Sequence, residues 1–418
     1  MRAVKGMRDI LPPATAVWNH VDAVAREVFR TYNYQEIRTP ILEETSLFAR
    51  GVGAETDIVG KEMYTFEDRD GTSLTLRPEA TASVMRAYIE HRMDQLPGLT
   101  KLYYMGPMFR RERPQKGRYR QFYQIGAEAI GSESPLLDAE VIEMAAELLR
   151  RPGLQGFELL LNSVGDSKCR PAFIELLREK LAEVAPRMCG DCQRRAVTNP
   201  LRVLDCKVPE DQPIIESLPS ILDHLCIECR EHFGEVKAYL DRRQIRYQVR
   251  PRLVRGLDYY MRTTFEFLHS ALGSQNTVLA GGRYDGLAQS LGSRISAPGV
   301  GFSMGEDRLA MTLEENVRLT EDPLVLVTFT EGETTQWAAV DAAAELRAHG
   351  IRVELSGGKL KKVFETANKL NARLAVICGE SELAAGTVSV KDLQTQQQTS
   401  FRRELLLENV QTCLNKHR

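Results

Sequence analysis

The chain has 418 residues, 55 Lys plus Arg against 57 Asp plus Glu, a formal net charge of -2 and 43% hydrophobic residues. That length exceeds one ordinary core, so two or three domains are expected, and the near-neutral balance excludes a uniformly basic binder of polyanions, leaving any such partner to local patches. No apolar run approaches membrane-spanning length, and the N-terminal MRAVKGMRDILPP lacks the apolar stretch of a secretory leader, so a cytoplasmic location is expected.

Trp18, Val21, Ala25 and Val28 recur at helical spacing and predict a first helix over about Ala14 to Thr31. YQEIRTPIL reads as a strand broken at Pro40. A loop rich in Gly and acids leads to LTLRPEATASVMRAYIEH, a strand reaching Arg77-Pro78 and then a helix starting near Glu79. Two strands, about Leu102 to Glu112 and Arg118 to Ile130, are joined by RPQKG, and a helix over about Leu137 to Leu149 closes the segment. Residues 166–243 turn helical and cysteine-bearing and read as an insertion. Strand patterns return in VRPRLVRGLDYYMRTTFEFLH and the Gly-rich TVLAGGRYDGL, with a helix following APGVGFSMGEDRLAMTLEE. Glu321-Asp322-Pro323 marks a boundary. Beyond it, LVLVTF, a helix to His349, IRVEL, a helix to Asn371, LAVICG, GTVSVKDL and a C-terminal helix make a compact αβ unit. Strands interspersed with helices around antiparallel hairpins predict an α+β domain on an antiparallel sheet, rather than a doubly wound one, for residues 1–322, with the αβ unit at 323–418.

The eight cysteines are Cys169, Cys189, Cys192, Cys206, Cys226, Cys229, Cys378 and Cys413, and reduced thiols are expected in a chain of this kind. CGDC at 189 and CIEC at 226 have the pair spacing of zinc sites. Leu222, Cys226, Cys229, Phe233, Val236 and Leu240, however, follow an apolar helical stripe that is equally consistent with the second pair being core, so the sequence leaves zinc open. No metal ligand is assigned.

Within the segment FRRERPQKGRYRQFYQIGAEAIG, the stretch from Arg110 to Arg120 gathers Arg110, Arg111, Arg113, Lys116, Arg118 and Arg120 around a single acid, Glu112. Side chains alternate across a strand, so Phe122, Gln124, Gly126 and Glu128 share one face with Tyr104, Gly106 and Arg110, while Tyr123, Ile125, Ala127 and Ala129 make a more apolar opposite face. The apolar face goes to the core, and the mixed face suits the floor of a ligand pocket. Glycine at 106 and 126 is read as a mark of close approach by a ligand or backbone. A rigid Arg110 on the strand would grip phosphate in a bidentate fork. Arg113, Lys116 and Arg118 near the turn suit a nucleic-acid backbone.

FRRERPQKGRYRQFYQ resembles motif 2 of the class II aminoacyl-tRNA synthetases, and the likeness is closest to the histidyl-tRNA synthetase family over essentially the whole chain. LVRGLDYYMRTTFEF and LAGGRYDGL resemble that family's two signature segments, APGVGFSMGEDRLAM its motif 3, and FRTYNYQEIRTPIL its motif 1, which in the family lies at the dimer interface. The C-terminal unit resembles its anticodon-binding domain. The resemblance implies ATP-dependent ligation of histidine to tRNA(His) through a histidyl-adenylate, by a homodimer, with Mg²⁺ on the β- and γ-phosphates. It places Arg110 and Arg255 at the α-phosphate, and Glu112, Arg118, Phe122 and Arg308 around the rest of ATP. Glu79, Thr81, Gln124 and Arg255 fall at histidine's amino and carboxylate groups, and Glu128, Tyr259, Tyr260 and Tyr284 around its imidazole. Arg113, Gln115 and Lys116 fall at the tRNA acceptor end. The alternative is a non-catalytic synthetase-like paralogue acting as a regulatory subunit or tRNA sensor. Paralogues that regulate histidine biosynthesis typically lose the RGLDYY segment and the C-terminal domain, both of which this chain keeps.

Overall fold

The structure is a computed structural model that describes all residues except 54–55, 116, 274–275, 315–321 and 416–418. It falls into two compact units, Met1–Arg318 and Leu319–Arg418. No described helix is long and apolar enough to cross a membrane.

The first unit is built on one large sheet. Helix α1 (Ala14–Thr31) buries Val17, Trp18, Val21, Ala25, Val28 and Phe29, the stripe its sequence spacing requires. Strand β1 (Gln35–Glu36) follows, ending well before Pro40. Then come helix α2 (Thr81–Glu90), the long hairpin of β2 (Thr100–Phe109) and β3 (Gln121–Ile130), and helix α3 (Pro135–Arg150). Strand β4 (Glu158–Ser163) leads into helices α4 (Arg170–Val184), α5 (Gly190–Thr198) and α6 (Ile227–Arg242). The chain returns through β5 (Gln248–Val249), β6 (Met261–Leu268), β7 (Thr277–Arg283) and β8 (Gly299–Gly305) to helix α7 (Glu306–Glu314). The sheet order is β1-β2-β3-β8-β7-β6-β4-β5. Its six central strands are antiparallel, and only the short edge strands β1 and β5 pair in parallel.

The β2–β3 ladder runs without slippage from Thr100 opposite Ile130 to Phe109 opposite Gln121. On β3, Ile125, Ala127 and Ala129 are fully buried, and Tyr123 on the same face meets Trp18 of α1 edge-on, ring centroids 5.3 Å apart. The even face is therefore the one free to form a site. A buried ion pair ties α3 to the sheet. Arg283 of β7 and Asp138 of α3 have fully buried side chains, and Thr263 of β6 donates its hydroxyl to the same carboxylate at 2.7 Å. Helices α4 to α6 enclose a separate small core that includes Phe173, Leu177, Leu181, Val203 and Ile221.

The two glycines of the hairpin have a different use from the one their sequence context suggests. A Cβ on Gly126 would stand 2.3 Å from the Tyr104 ring and 2.7 Å from the Phe302 carbonyl oxygen, and one on Gly106 would stand 2.8 Å from the Arg77 guanidinium. They make room for neighbouring side chains of the protein. Gly126→Ala is accordingly expected to destabilise the fold by ~1–3 kcal/mol, since backbone bounds the space on one side. A denaturation midpoint equal to the parent's would show that Tyr104 moves aside freely.

The second unit has a five-stranded mixed sheet. Strands β9 (Leu324–Phe329), β10 (Arg352–Leu355) and β11 (Leu374–Cys378) alternate with helices α8 (Glu333–Ala348) and α9 (Leu360–Lys369). Strands β12 (Thr387–Asp392) and β13 (Gln398–Arg402) and helix α10 (Leu406–Asn415) complete it. The order is β10-β9-β11-β12-β13, parallel across the first three and antiparallel at β12 and β13. Strand β13 escapes the sequence reading because only Phe401 on it is even partly buried.

Candidate active site

A cleft of about 270 Å³ opens over β3, β7 and β8. The pleat of β3 supplies its floor: Phe122 and Gln124 line it, and Gln124 carries a buried Oε1 with no hydrogen-bond partner among the described residues. A buried acceptor left open at a cleft floor costs free energy until a donor arrives.

The arginines converge from three directions. Arg110 lies one residue past the end of β2, not on the strand as its sequence position implied. Its backbone N–H still bonds the Arg120 carbonyl at 2.9 Å, and its Nε donates to the Pro78 carbonyl at 2.9 Å. Its guanidinium carbon sits 5.2 Å from the centre of the Phe122 ring. Arg118, on the returning limb of the hairpin, pairs with Glu112 at 3.0 Å. Arg308, on the first turn of α7, donates to the Gly117 carbonyl at 3.2 Å and the Thr277 carbonyl at 2.6 Å, strapping the hairpin tip to β7. Burial, followed by the neighbouring Arg118, pulls the Arg308 pKa below its ordinary value. Such crowding of cations is relieved by an anion. Arg255 reaches the cleft from the segment before β6. It is ion-paired to Glu266, which also accepts from the Thr277 hydroxyl at 3.2 Å, and its Nε is buried without a partner among the described residues.

The other end of the cleft is carboxylate and phenol. Glu79 is buried and accepts the backbone N–H groups of Thr81 at 2.7 Å and Ala82 at 3.0 Å, where α2 begins. Burial raises its pKa, and those two N–H groups oppose the rise. Thr81 lines the cleft and donates its hydroxyl to Glu128 at 2.6 Å, while Tyr284 donates to the other oxygen at 2.5 Å. Burial pushes Glu128 up to about 8 against the pull of those two hydroxyls. A Cβ on Gly301 would fall 1.8 Å from Glu128 Oε2, so this glycine is what leaves space for the carboxylate. Tyr259 and Tyr260 both line the cleft, and the Tyr259 ring lies 4.7 Å from that of Tyr260 and 5.9 Å from that of Tyr284.

The cleft thus collects Glu79, Thr81, Arg110, Glu112, Arg118, Phe122, Gln124, Arg255, Tyr259, Tyr260 and Arg308. Glu128 and Tyr284 stand one side chain behind its wall, each about 1% exposed. Arg113 and Gln115 are exposed on the hairpin tip, where Gln115 and Arg118 form a backbone bridge, and Lys116 lies outside the described residues. Sequence reasoning missed Tyr119, Leu257, Thr277, Ser303 and Asp307 as wall residues, and Glu266 as the anchor of Arg255; Tyr123, which the pleat gives to the core face, also lines the cleft. Asp307 had a signal, an acid beside Arg308 in GEDR; it accepts the Tyr123 N–H at 2.8 Å and an Arg8 N–H at 2.8 Å.

An antiparallel sheet whose central hairpin and flanking strands aim several arginines into one polar cleft defines a class II aminoacyl-tRNA synthetase. A family model for histidyl-tRNA synthetase matches residues 6–309, and one for an anticodon binding domain matches residues 324–412. The chain belongs to the histidyl-tRNA synthetase family. It is 62% identical over 415 residues to a histidine–tRNA ligase of Solibacter usitatus, covering 99% of this chain and 100% of that protein. It is 57% identical over 418 residues to one of Koribacter versatilis, covering 96% and 94%. Among solved structures, that of apo S. aureus histidyl-tRNA synthetase superposes with a TM-score of 0.83 at 38% identity, covering 98% of this chain and 99% of that one.

Proposed function

We propose an assignment of these residues to the reaction of the family, in which histidine and ATP give histidyl-adenylate and pyrophosphate, and the histidyl group then passes to the terminal ribose of tRNA(His). The observation that carries it is the convergence of Arg110, Arg118, Arg255 and Arg308 on one cleft that also holds the open acceptor of Gln124. The α-phosphorus gains charge on its oxygens as the histidine carboxylate attacks it, so fixed guanidinium groups act most strongly in the transition state. Arg110 and Arg255 take the α-phosphate. Arg118 and Arg308 take the outer phosphates, and Phe122 offers a face to adenine beside Glu112. Mg²⁺ would enter with ATP and neutralise charge on its phosphates, with no carboxylate of the cleft assigned to hold it. This suits a cleft in which Glu112 and Asp307 are already paired with Arg118 and Arg8.

Glu79, Thr81 and Gln124 receive histidine's amino and carboxylate groups. Glu128 and the three tyrosines set the imidazole end, where one ring nitrogen donates and the other accepts. A site that hydrogen-bonds both nitrogens rejects analogues lacking them by ~10⁴–10⁵ in favourable cases. We take residues 1–322 as the catalytic domain and 323–418 as the anticodon-binding domain. The chain works as a homodimer in the cytoplasm. Support for the dimer is the motif-1-like segment, where Ile41 and Leu42 are 43% and 38% exposed.

Histidine-dependent ATP–pyrophosphate exchange, assayed against the other amino acids, tests the reading. Absence of exchange in well-folded protein would favour a non-catalytic paralogue, and faster exchange with another amino acid would overturn the substrate. Gln115→Ala, on the exposed tip, is expected to spare exchange and slow transfer to tRNA. Equal loss in both steps would contradict the assignment of the tip to the acceptor end.

A further inference from the structure

The helical insertion holds two side-chain clusters that the aminoacylation chemistry does not use. Asp166, Cys169, Cys226 and Cys229 form one, and Cys189, Cys192, Cys206 and Asp211 the other; in each, the four ligand atoms lie within 4.8 Å of one another. The two have the same plan. A CxxC pair sits on a helix N-terminus, Cys226 capping α6 with Cys229 in its first turn, and Cys189 capping α5 with Cys192 in its first turn. A third cysteine and a buried aspartate arrive from a neighbouring loop.

The spacing is that of a tetrahedral thiolate site. Zinc–sulfur bonds of about 2.3 Å in a tetrahedron set neighbouring sulfurs about 3.8 Å apart. Cys189 and Cys206 sulfurs are 3.8 Å apart, and Cys169 and Cys229 sulfurs 3.9 Å. Asp211 Oδ2 lies 3.3 Å from Cys206 Sγ, and Asp166 Oδ1 lies 3.6 Å from Cys169 Sγ and 3.9 Å from Cys226 Sγ. Backbone N–H groups point at the sulfurs, from Cys229 to Cys226, from Val208 to Cys206 and from Asp166 to Cys169, each at 3.4 Å. Such donors stabilise thiolates. Disulfides do not explain the clusters, because three cysteines leave one unpaired and a disulfide needs sulfurs about 2.05 Å apart.

A plain apolar core does not explain them either. The packing around the cysteines is apolar, as the sequence stripe through Phe233, Val236 and Leu240 foretold. Yet Asp166 and Asp211 are only 4% and 2% exposed, each turned toward three sulfurs. A carboxylate in an apolar core is costly unless a cation or strong donors meet it. Its partners here are a few backbone N–H groups and, at Asp166, Arg262 at 3.6 Å. The insertion also has a small core of its own, the kind of module that a structural metal consolidates.

We propose that each cluster binds one structural Zn²⁺ through three thiolates and a carboxylate. Both sites are closed by four protein ligands and stand apart from the adenylation cleft. Their role is to hold the insertion together, with up to three thiol protons released per ion bound.

The test is elemental analysis of the purified full chain, expressed with zinc supplied. About two zinc ions per chain are expected, one for each cluster. Cys229→Ser and Cys192→Ser should each lose one, from different clusters. Cobalt exchanged into the unmodified chain should show thiolate-to-metal charge transfer and tetrahedral d–d bands, a readout that does not depend on a variant folding. Folded protein free of zinc, with all eight thiols titrating and no cobalt bands, would overturn the proposal. A single ion lost in Cys192→Ser but kept in Cys229→Ser would overturn it at Cys226–Cys229, and the reverse pattern would overturn it at Cys189–Cys192.

Discussion

Arg255→Ala is expected to lower histidine-dependent pyrophosphate exchange by ~10²–10³, the loss typical of one fixed donor aimed at developing charge. Arg255 is suited to that task by its surroundings. Glu266 fixes its guanidinium from one side, Thr277 steadies Glu266, and its buried Nε has no partner among the described residues. A preorganised cation of this kind needs no reorganisation when the α-phosphate arrives. The substitution leaves Glu266 with the Thr277 hydroxyl and whatever water enters, so a stability loss of about 1–2 kcal/mol accompanies the kinetic one. Exchange is therefore compared at equal folded fraction, measured by circular dichroism. Arg255→Lys restores the charge but not the planar fork and is expected to recover only part of the rate. Near-parental exchange in Arg255→Ala would remove this residue from the α-phosphate.

Much of the cleft was legible in the sequence because strand geometry is simple. Phe122 and Gln124 fall on the floor because alternate residues of β3 share a face, and the odd face is apolar enough to fix the register. The depth of Glu128 was not legible. The pleat assigns a face but not a distance, and Gly301, on a strand far away in sequence, decides how deep the carboxylate sits. The partnership of Arg255 with Glu266 was hidden for a related reason, since it depends on how the irregular segment before β6 folds back on that strand. The alternation pattern puts Arg110 on a strand that in the structure ends at Phe109, where the hairpin leaves the ladder. The CxxC pairs were visible, but Asp166, Cys169, Cys206 and Asp211 join them only through the packing of the insertion. Gly106 and Gly126 were visible as unusual strand residues, while the side chains they accommodate were not.

The second large effect is expected at Glu128, whose charge state couples stability, pH and histidine. Its ordinary value of 4.5 is pushed up to about 8 by burial, so in the empty protein it holds a proton at neutral pH. Between those two values the folded chain keeps a proton that the unfolded chain has released. Its contribution to stability is therefore fully present below about pH 4.5 and is lost as pH rises through about 8. Glu128→Gln does not titrate, so the stability difference between parent and variant should shift in the variant's favour as pH rises across that window. Glu306, raised to about 9 chiefly by burial and present in both proteins, cancels in the difference. Histidine binding should act in the opposite sense. An imidazole N–H presented to Glu128 favours the carboxylate and lowers its pKa, so binding near neutral pH releases a proton. Calorimetry in buffers of different ionisation enthalpy should detect that proton in the parent and not in Glu128→Gln. Loss of a charge-assisted hydrogen bond of about 2–3 kcal/mol should raise the KM for histidine ~30- to 150-fold in the variant, with the KM for ATP little changed. The Thr81 and Tyr284 hydroxyls keep a polar partner in the amide, which makes the substitution gentler on the fold than Glu128→Ala. Equal rises in both KM values, or identical proton release in parent and variant, would place the imidazole elsewhere in the cleft.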